Sequence, residues 1–261
     1  LLQGKVLYRD VHYFFGPLAP VLNSWLLRLF GPSALTLLVA GAAVSLAIVV
    51  LSYMLARQIL PPLAATVGAL IVLAHAAFGF NMFSYAVPYT FAATYGLLFS
   101  LLTLYSVLRA LDAPCLAWEL LAGAAAALAL ASKQEFAFIS LMILLAGWLV
   151  RGARFGVVSF LAVAGVIATL VFRQVTLAEF LGCVLPRQAP AWRHFYENVQ
   201  YWGPNLWTGI RESIAGFVLN FGFILWASGA VALLLGWKSG PRPARKLVLL
   251  LAAAAPLFLW Q

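Results

Sequence analysis

Charge is scarce in this chain: only 9% of its residues are Asp, Glu, Lys or Arg, and acidic residues number seven. A soluble domain carries about a quarter charged residues and is about half apolar. Here 65% of residues are hydrophobic, and mean hydropathy is +1.01. Too few polar side chains exist to clothe a globule, which excludes a soluble fold. Cysteine is equally sparse. Cys115 and Cys183 lie far apart, form no metal or redox spacing, and read as small apolar residues. No acidic residue occupies the middle of a long apolar run, which weighs against ion-coupled transport through paired charges.

Long apolar runs are abundant instead. They recur along the whole length at the roughly 20-residue scale of a membrane helix. An all-α, polytopic integral membrane protein is therefore expected, rather than the weak alternation of an outer-membrane barrel. The net charge of +9 invites a nucleic-acid partner. The cations, however, sit scattered at the ends of apolar runs, where membrane flanks and snorkelling side chains belong, so no nucleic acid is expected.

Spans are expected over Ser33–Ala56, Leu63–Phe80, Thr90–Leu108, Ala117–Ala131, Phe136–Val150, Phe155–Phe172 and Ser213–Trp237, with an incomplete run over Leu247–Trp260. That makes about eight membrane segments in one membrane-embedded domain, 1–261. Residues 1–32 form a loop, 33–172 the core helices, 173–212 a second long loop, and 213–261 the C-terminal helices. Within the first loop, Leu18, Val21, Leu22, Trp25, Leu26 and Leu29 share a helical face with one charge, Arg28, nearby. This is the pattern of a helix lying in the membrane interface. The chain has no initiator Met and no legible signal peptide, and it ends inside an apolar run. It reads as a fragment truncated at both ends.

Alternating spans place Arg57, Arg109, Arg151, Arg154, Lys238, Arg242, Arg245 and Lys246 on one side. These lie in short connections, where positive charge marks the cytoplasm. Lys5, Arg9, Arg28, Lys133, Arg173, Arg187, Arg193 and Arg211 share the other side, mostly in long loops. Residues 1–32, 81–89, 132–135 and 173–212 are then extracytoplasmic.

Lys133-Gln134-Glu135 is the strongest candidate for chemistry. The stretches that flank it hold about 15 residues each, and such a helix rises only about 22 Å. The hydrocarbon core is roughly 30 Å thick. The turn is expected below the surface, where charge is expensive and usually functional. Lys133 there suits a lipid phosphate; the alternative is a Lys133–Glu135 pair that caps a helical hairpin and snorkels outward. Tyr8-Arg9-Asp10-Val11-His12 holds proton-transfer groups and a phosphate-binding arginine, a combination that exposed loops also carry routinely. Trp192, Phe195, Tyr196 and Val199 fall at helical spacing opposite Arg193, His194, Glu197 and Gln200. An interfacial aromatic belt explains the pattern, and a lid over a sugar or lipid is the functional alternative. His75 and Asn220 lie within spans, where a polar group invites a functional reading and a bond to a neighbouring helix carbonyl is at least as good an account.

Gly4-Lys5-Val6-Leu7-Tyr8-Arg9-Asp10, Gly16-Pro17-Leu18 and Leu29-Phe30-Gly31 together resemble the first extracytoplasmic loop of bacterial GT-C glycosyltransferases. These are the dolichyl-phosphate-mannose protein mannosyltransferase-like and lipid A aminoarabinose transferase-like enzymes. Ala131-Ser132-Lys133-Gln134-Glu135-Phe136 resembles their lysine-containing turn between two short helices, and Asn81-Met82-Phe83-Ser84-Tyr85 with Pro88-Tyr89 their next outer loop. The resemblance covers most of the chain through about residue 150. It implies transfer of a sugar from a polyprenyl-phosphate donor to a glycan, lipid or protein acceptor at the outer face of the bacterial cytoplasmic membrane. Lys133 and Arg9 would hold the donor phosphate, with Tyr8, Asp10, His12, Gln134, Glu135 and Tyr85 in support. The family's acidic base sits in a pair just after the first membrane helix, upstream of Leu1, so no base is assigned and the fragment alone is expected to be inactive. The sequence indicates no metal ligands and leaves a divalent metal open. A transporter, flippase or non-catalytic assembly subunit is the alternative class.

Overall fold

The computed structural model describes residues 1–58, 60–74, 90–151 and 154–184, with only the backbone of Glu135 and Arg151. Among these residues there are eight helices and no strand. They are α1 (Leu18–Phe30), α2 (Ala34–Ala56), α3 (Pro62–Val72), α4 (Phe91–Asp112), α5 (Leu116–Ser132), α6 (Gln134–Arg151), α7 (Arg154–Phe172) and α8 (Leu177–Val184). The expected elements at His75, Asn81–Tyr89 with Tyr85, Trp192–Trp207, Asn220 and the spans beyond residue 212 lie outside the described residues.

Local chemistry starts and stops these helices where the sequence changes character. Ser33 caps α2 by accepting from the Thr36 amide at 3.1 Å, and Thr90 caps α4 through the Ala92 amide at 3.3 Å. Pro62 opens α3, where the absent N–H is not needed. Helix α4 runs to Asp112, four residues past the expected end at Leu108. Its last turn keeps Arg109, which lies 5.7 Å over the Trp118 ring, so the charged residues extend the helix rather than end it. Among the described residues three helices, α2, α4 and α7, are long and apolar enough to cross a membrane.

Helix α5 is the hub, packed against α4, α6 and α7. Its surface is a run of small residues, and Ala122, Ala125, Ala126, Ala127 and Ala129 are buried. A Cβ on Gly123 would stand 2.0 Å from the Gly156 carbonyl oxygen, so α5 and α7 approach backbone to backbone. Such small-residue seams are how helices associate where lipid offers no hydrophobic drive. Short polar bonds reinforce the seams. Ser159 donates to the Leu120 carbonyl at 2.7 Å, and the Ser100 and Ser140 hydroxyls bridge α4 and α6 at 3.0 Å. The bulky core is Val107, Leu108, Leu111, Ile143 and Leu144. Large apolar side chains such as Leu35, Val39, Leu46, Leu63, Phe138, Leu149, Leu161 and Val166 point outward, as a bilayer requires.

Helix α1 shows the same inversion. Trp25 is 63% exposed and Leu29 71% exposed, so the Val21, Trp25 and Leu29 edge of the apolar face read from the sequence turns away from the protein, while Leu22 of the same face packs inward. The inward face is Ala19 and Leu22, with Asn23 accepting from the Tyr95 hydroxyl at 2.8 Å.

Candidate functional site

The α5–α6 turn is a single residue. Lys133 is extended, φ −154°, ψ 137°, and its carbonyl accepts from the Ala137 amide at 3.3 Å to start the next helix. The flanking helices hold 17 and 18 residues, a little longer than the expected 15. Their rise of about 26 Å still falls short of the roughly 30 Å core.

The first loop lies directly on this turn. The Gly16 amide donates to the Ser132 carbonyl at 3.1 Å, and Gln134 Nε2 donates to the Phe14 carbonyl at 3.2 Å. Lys133 Nζ stands 5.1 Å from the centre of the Phe15 ring, a cation–π distance. Only glycine fits at position 16, because a Cβ there would stand 2.1 Å from the Ala131 carbonyl oxygen. The two segments singled out separately in the sequence are therefore one structure.

Further into the loop, Val6 to Val11 closes on itself. The Asp10 amide donates to Val6 O at 2.9 Å, and Asp10 Oδ2 accepts from the Val6 amide at 2.7 Å. Tyr8, at the apex, adopts φ 70°, a conformation that a non-glycine residue holds only when its surroundings dictate it. Those surroundings are specific. The Tyr8 hydroxyl donates to Phe15 O at 2.8 Å, and its ring meets Phe180 edge-on at 5.0 Å. Burial pushes the Tyr8 phenol well above its ordinary range, so it serves as a proton-bearing donor rather than a base. Burial also raises the Tyr13 phenol.

Helix α8 holds the far side of the loop. Cys183 Sγ donates to the Tyr8 carbonyl at 3.3 Å and lies 3.2 Å from His12 Nδ1. Cys183 is buried, as an apolar residue would be, but it is also a polar anchor for the loop. Thr176 and Glu179 form a reciprocal capping box: Glu179 Oε2 accepts from the Thr176 amide at 2.7 Å, and the Thr176 hydroxyl accepts from the Glu179 amide at 3.3 Å. The amide and hydroxyl of Thr176 hold the Glu179 carboxyl below its ordinary range.

The sequence candidates separate into two groups. Tyr8, Lys133 and Gln134 are joined through Phe14 and Phe15 in one seam between the loop and the α5–α6 turn, and His12, itself exposed, borders Cys183 of α8. Arg9 and Asp10 lie on the exposed rim as an ion pair at 3.2 Å. The Val6 amide first, and Arg9 second, hold the Asp10 carboxyl below its ordinary range. Arg9 pairs with Asp10 at the surface, with Glu179 as a second acidic neighbour. The Glu135 side chain and Tyr85 lie outside the described residues. Phe15, Phe180 and the Thr176–Glu179 box were not singled out in the sequence. Only the box had a local signal there, Thr176-Leu177-Ala178-Glu179 ahead of an apolar turn. Among the described residues no three His, Cys, Asp or Glu side chains gather as a metal ligand set.

No curated protein and no solved structure matches the chain. The family model described as dolichyl-phosphate-mannose-protein mannosyltransferase matches residues 16–177. That stretch opens at the glycine seated on Ser132, includes the Lys133 turn, and closes at the first residue of α8. It covers more than half of a polytopic helical chain, and the chain belongs to the dolichyl-phosphate-mannose-protein mannosyltransferase family of GT-C membrane glycosyltransferases.

Proposed function

We propose that this membrane glycosyltransferase takes its sugar from a polyprenyl-phosphate donor at the extracytoplasmic face of the bacterial cytoplasmic membrane. The acceptor is the hydroxyl of a glycan, lipid or protein. The observation that carries this reading is the Lys133 turn. It places an ammonium between two helices that fall short of the hydrocarbon thickness, beneath a loop docked on the turn. A polyprenyl phosphate carries its anionic headgroup at that depth, where a charge-assisted contact is stronger than in bulk water.

In the reaction, the acceptor oxygen bonds to the anomeric carbon as the bond from that carbon to the phosphate oxygen breaks. The phosphate leaves with the electron pair, and the acceptor proton passes to a base. Lys133 stabilises the charge that grows on the leaving phosphate. Asp10 is not assigned as that base, because its carboxylate is taken up by the Val6 amide and Arg9.

Lys133→Ala in the full-length protein, reconstituted in liposomes with a polyprenyl-phosphate sugar, tests the role. Turnover is expected to fall on the order of 10²-fold, as when an oxyanion donor is removed, while expression and insertion stay normal. Transfer at near wild-type rate would retire the phosphate-binding role and leave Lys133 as a snorkelling helix cap.

A further inference from the structure

We propose that Phe15 is a positioning residue for Lys133, its ring serving as a platform that orients the ammonium toward the donor phosphate. The inference rests on the donor-phosphate reading of Lys133. The quadrupole of a ring attracts the cation and leaves its net charge intact.

The ring is fixed with unusual redundancy for a loop residue. Its own carbonyl accepts from the Tyr8 hydroxyl at 2.8 Å. The residue before it is held by Gln134 through the Phe14 carbonyl, and the residue after it is bonded to Ser132. Tyr13 packs edge-on against the ring at 5.7 Å. Three of these contacts are made by the backbone of residues 14–16 and fix the stretch of loop that carries the ring, and the ring itself packs with Ala19, Ala92 and Tyr95. The same bonds seat that ring 5.1 Å from Lys133 Nζ. A strap whose backbone is bonded to both residues flanking Lys133 places an aromatic ring over Lys133 itself.

A graded substitution distinguishes a cation–π platform from simple packing. In the full-length, lipid-reconstituted protein, Phe15 is replaced by mono-, di- and trifluorinated phenylalanine. These keep the ring's shape while draining its negative face. KM and kcat for the polyprenyl-phosphate sugar are measured in the wild-type and Lys133→Ala backgrounds. With Lys133 present, the donor KM is expected to rise stepwise to a total of roughly three- to fivefold, the scale of a partly exposed cation–π contact. In Lys133→Ala the series should be flat. A flat series with Lys133 present, while Lys133→Ala is itself impaired, would overturn the platform and leave the phosphate reading intact. Normal transfer by Lys133→Ala would overturn both.

Discussion

Asp10 and Glu179 show how single side chains hold the first loop and α8 in place. Each carboxylate accepts a backbone amide at 2.7 Å, and each is held below its ordinary value, 3.8 for Asp10 and 4.5 for Glu179. A carboxyl whose folded pKa is depressed adds stability that is complete above its unfolded value and is lost as pH falls through the folded one. The Val6–Val11 loop and the start of α8 should therefore be indifferent to pH from neutrality to about pH 5 and loosen progressively as pH falls from there through the depressed values. Hydrogen exchange, corrected for intrinsic rates, over 6–11 and 176–184 checks this. Asp10→Asn should abolish the acid dependence in the first segment and spare it in the second. Loosening centred near neutral pH would assign the effect to another group. Asp10 and Arg9 were visible in the sequence as charged loop residues. That the carboxylate serves the loop's own backbone was not visible, because the Val6 amide becomes its partner only once Tyr8 turns to positive φ.

At the scale of elements, periodicity and capping made the helices legible. Ser33, Pro61-Pro62 and the Asp112-Ala113-Pro114 turn mark boundaries that the folded chain keeps to within a few residues. Which faces meet was not legible. In an apolar helix every face is hydrophobic, and only residue size distinguishes protein from lipid. Gly123 illustrates the point. Its Cβ position lies 2.0 Å from Gly156 O and 2.8 Å from the Ser159 side chain, whereas a Cβ on Gly165 of α7 meets nothing within 4 Å. Gly123→Ala must push α5 and α7 apart and disturb the Ser159–Leu120 bond. A destabilisation of about 1–3 kcal/mol is expected for such overpacking, read as a lower thermal midpoint in detergent. Gly165→Ala should leave the midpoint unchanged or slightly raised by its better helix propensity. Equal effects at the two glycines would show that the α5–α7 seam is not tightly packed.

For the whole molecule, alternation of spans forced the assignment of ends, and the fold groups those ends as alternation requires. The first loop, Ser132–Gln134 and the Val175–Val184 segment meet at one end. At the other, Glu119 accepts from the Phe155 amide at 3.2 Å, beside the Arg109–Trp118 pair. The docking of the loop on the Lys133 turn could not be read in advance. It joins Gly16 to Ser132 and His12 to Cys183, contacts across most of the described chain that depend on backbone shape rather than on any local motif. We propose that the Glu119 end faces the cytoplasm, because Arg57, Arg109 and Arg154 lie in short connections there. The two native cysteines and one introduced at position 3 test this. Cys115 is exposed and free, at the Glu119 end, whereas Cys183 is buried among Tyr8 and His12. In intact, right-side-out spheroplasts an impermeant maleimide should label neither. After permeabilisation it should label Cys115, and Cys115→Ser should remove that signal. A cysteine placed at Gln3, exposed in the first loop, should be labelled before permeabilisation. Labelling of Cys115 in sealed spheroplasts, with position 3 protected, would invert the topology and move the Lys133 turn to the cytoplasmic face. An extracytoplasmic donor would then be excluded even if Lys133 proved essential for transfer.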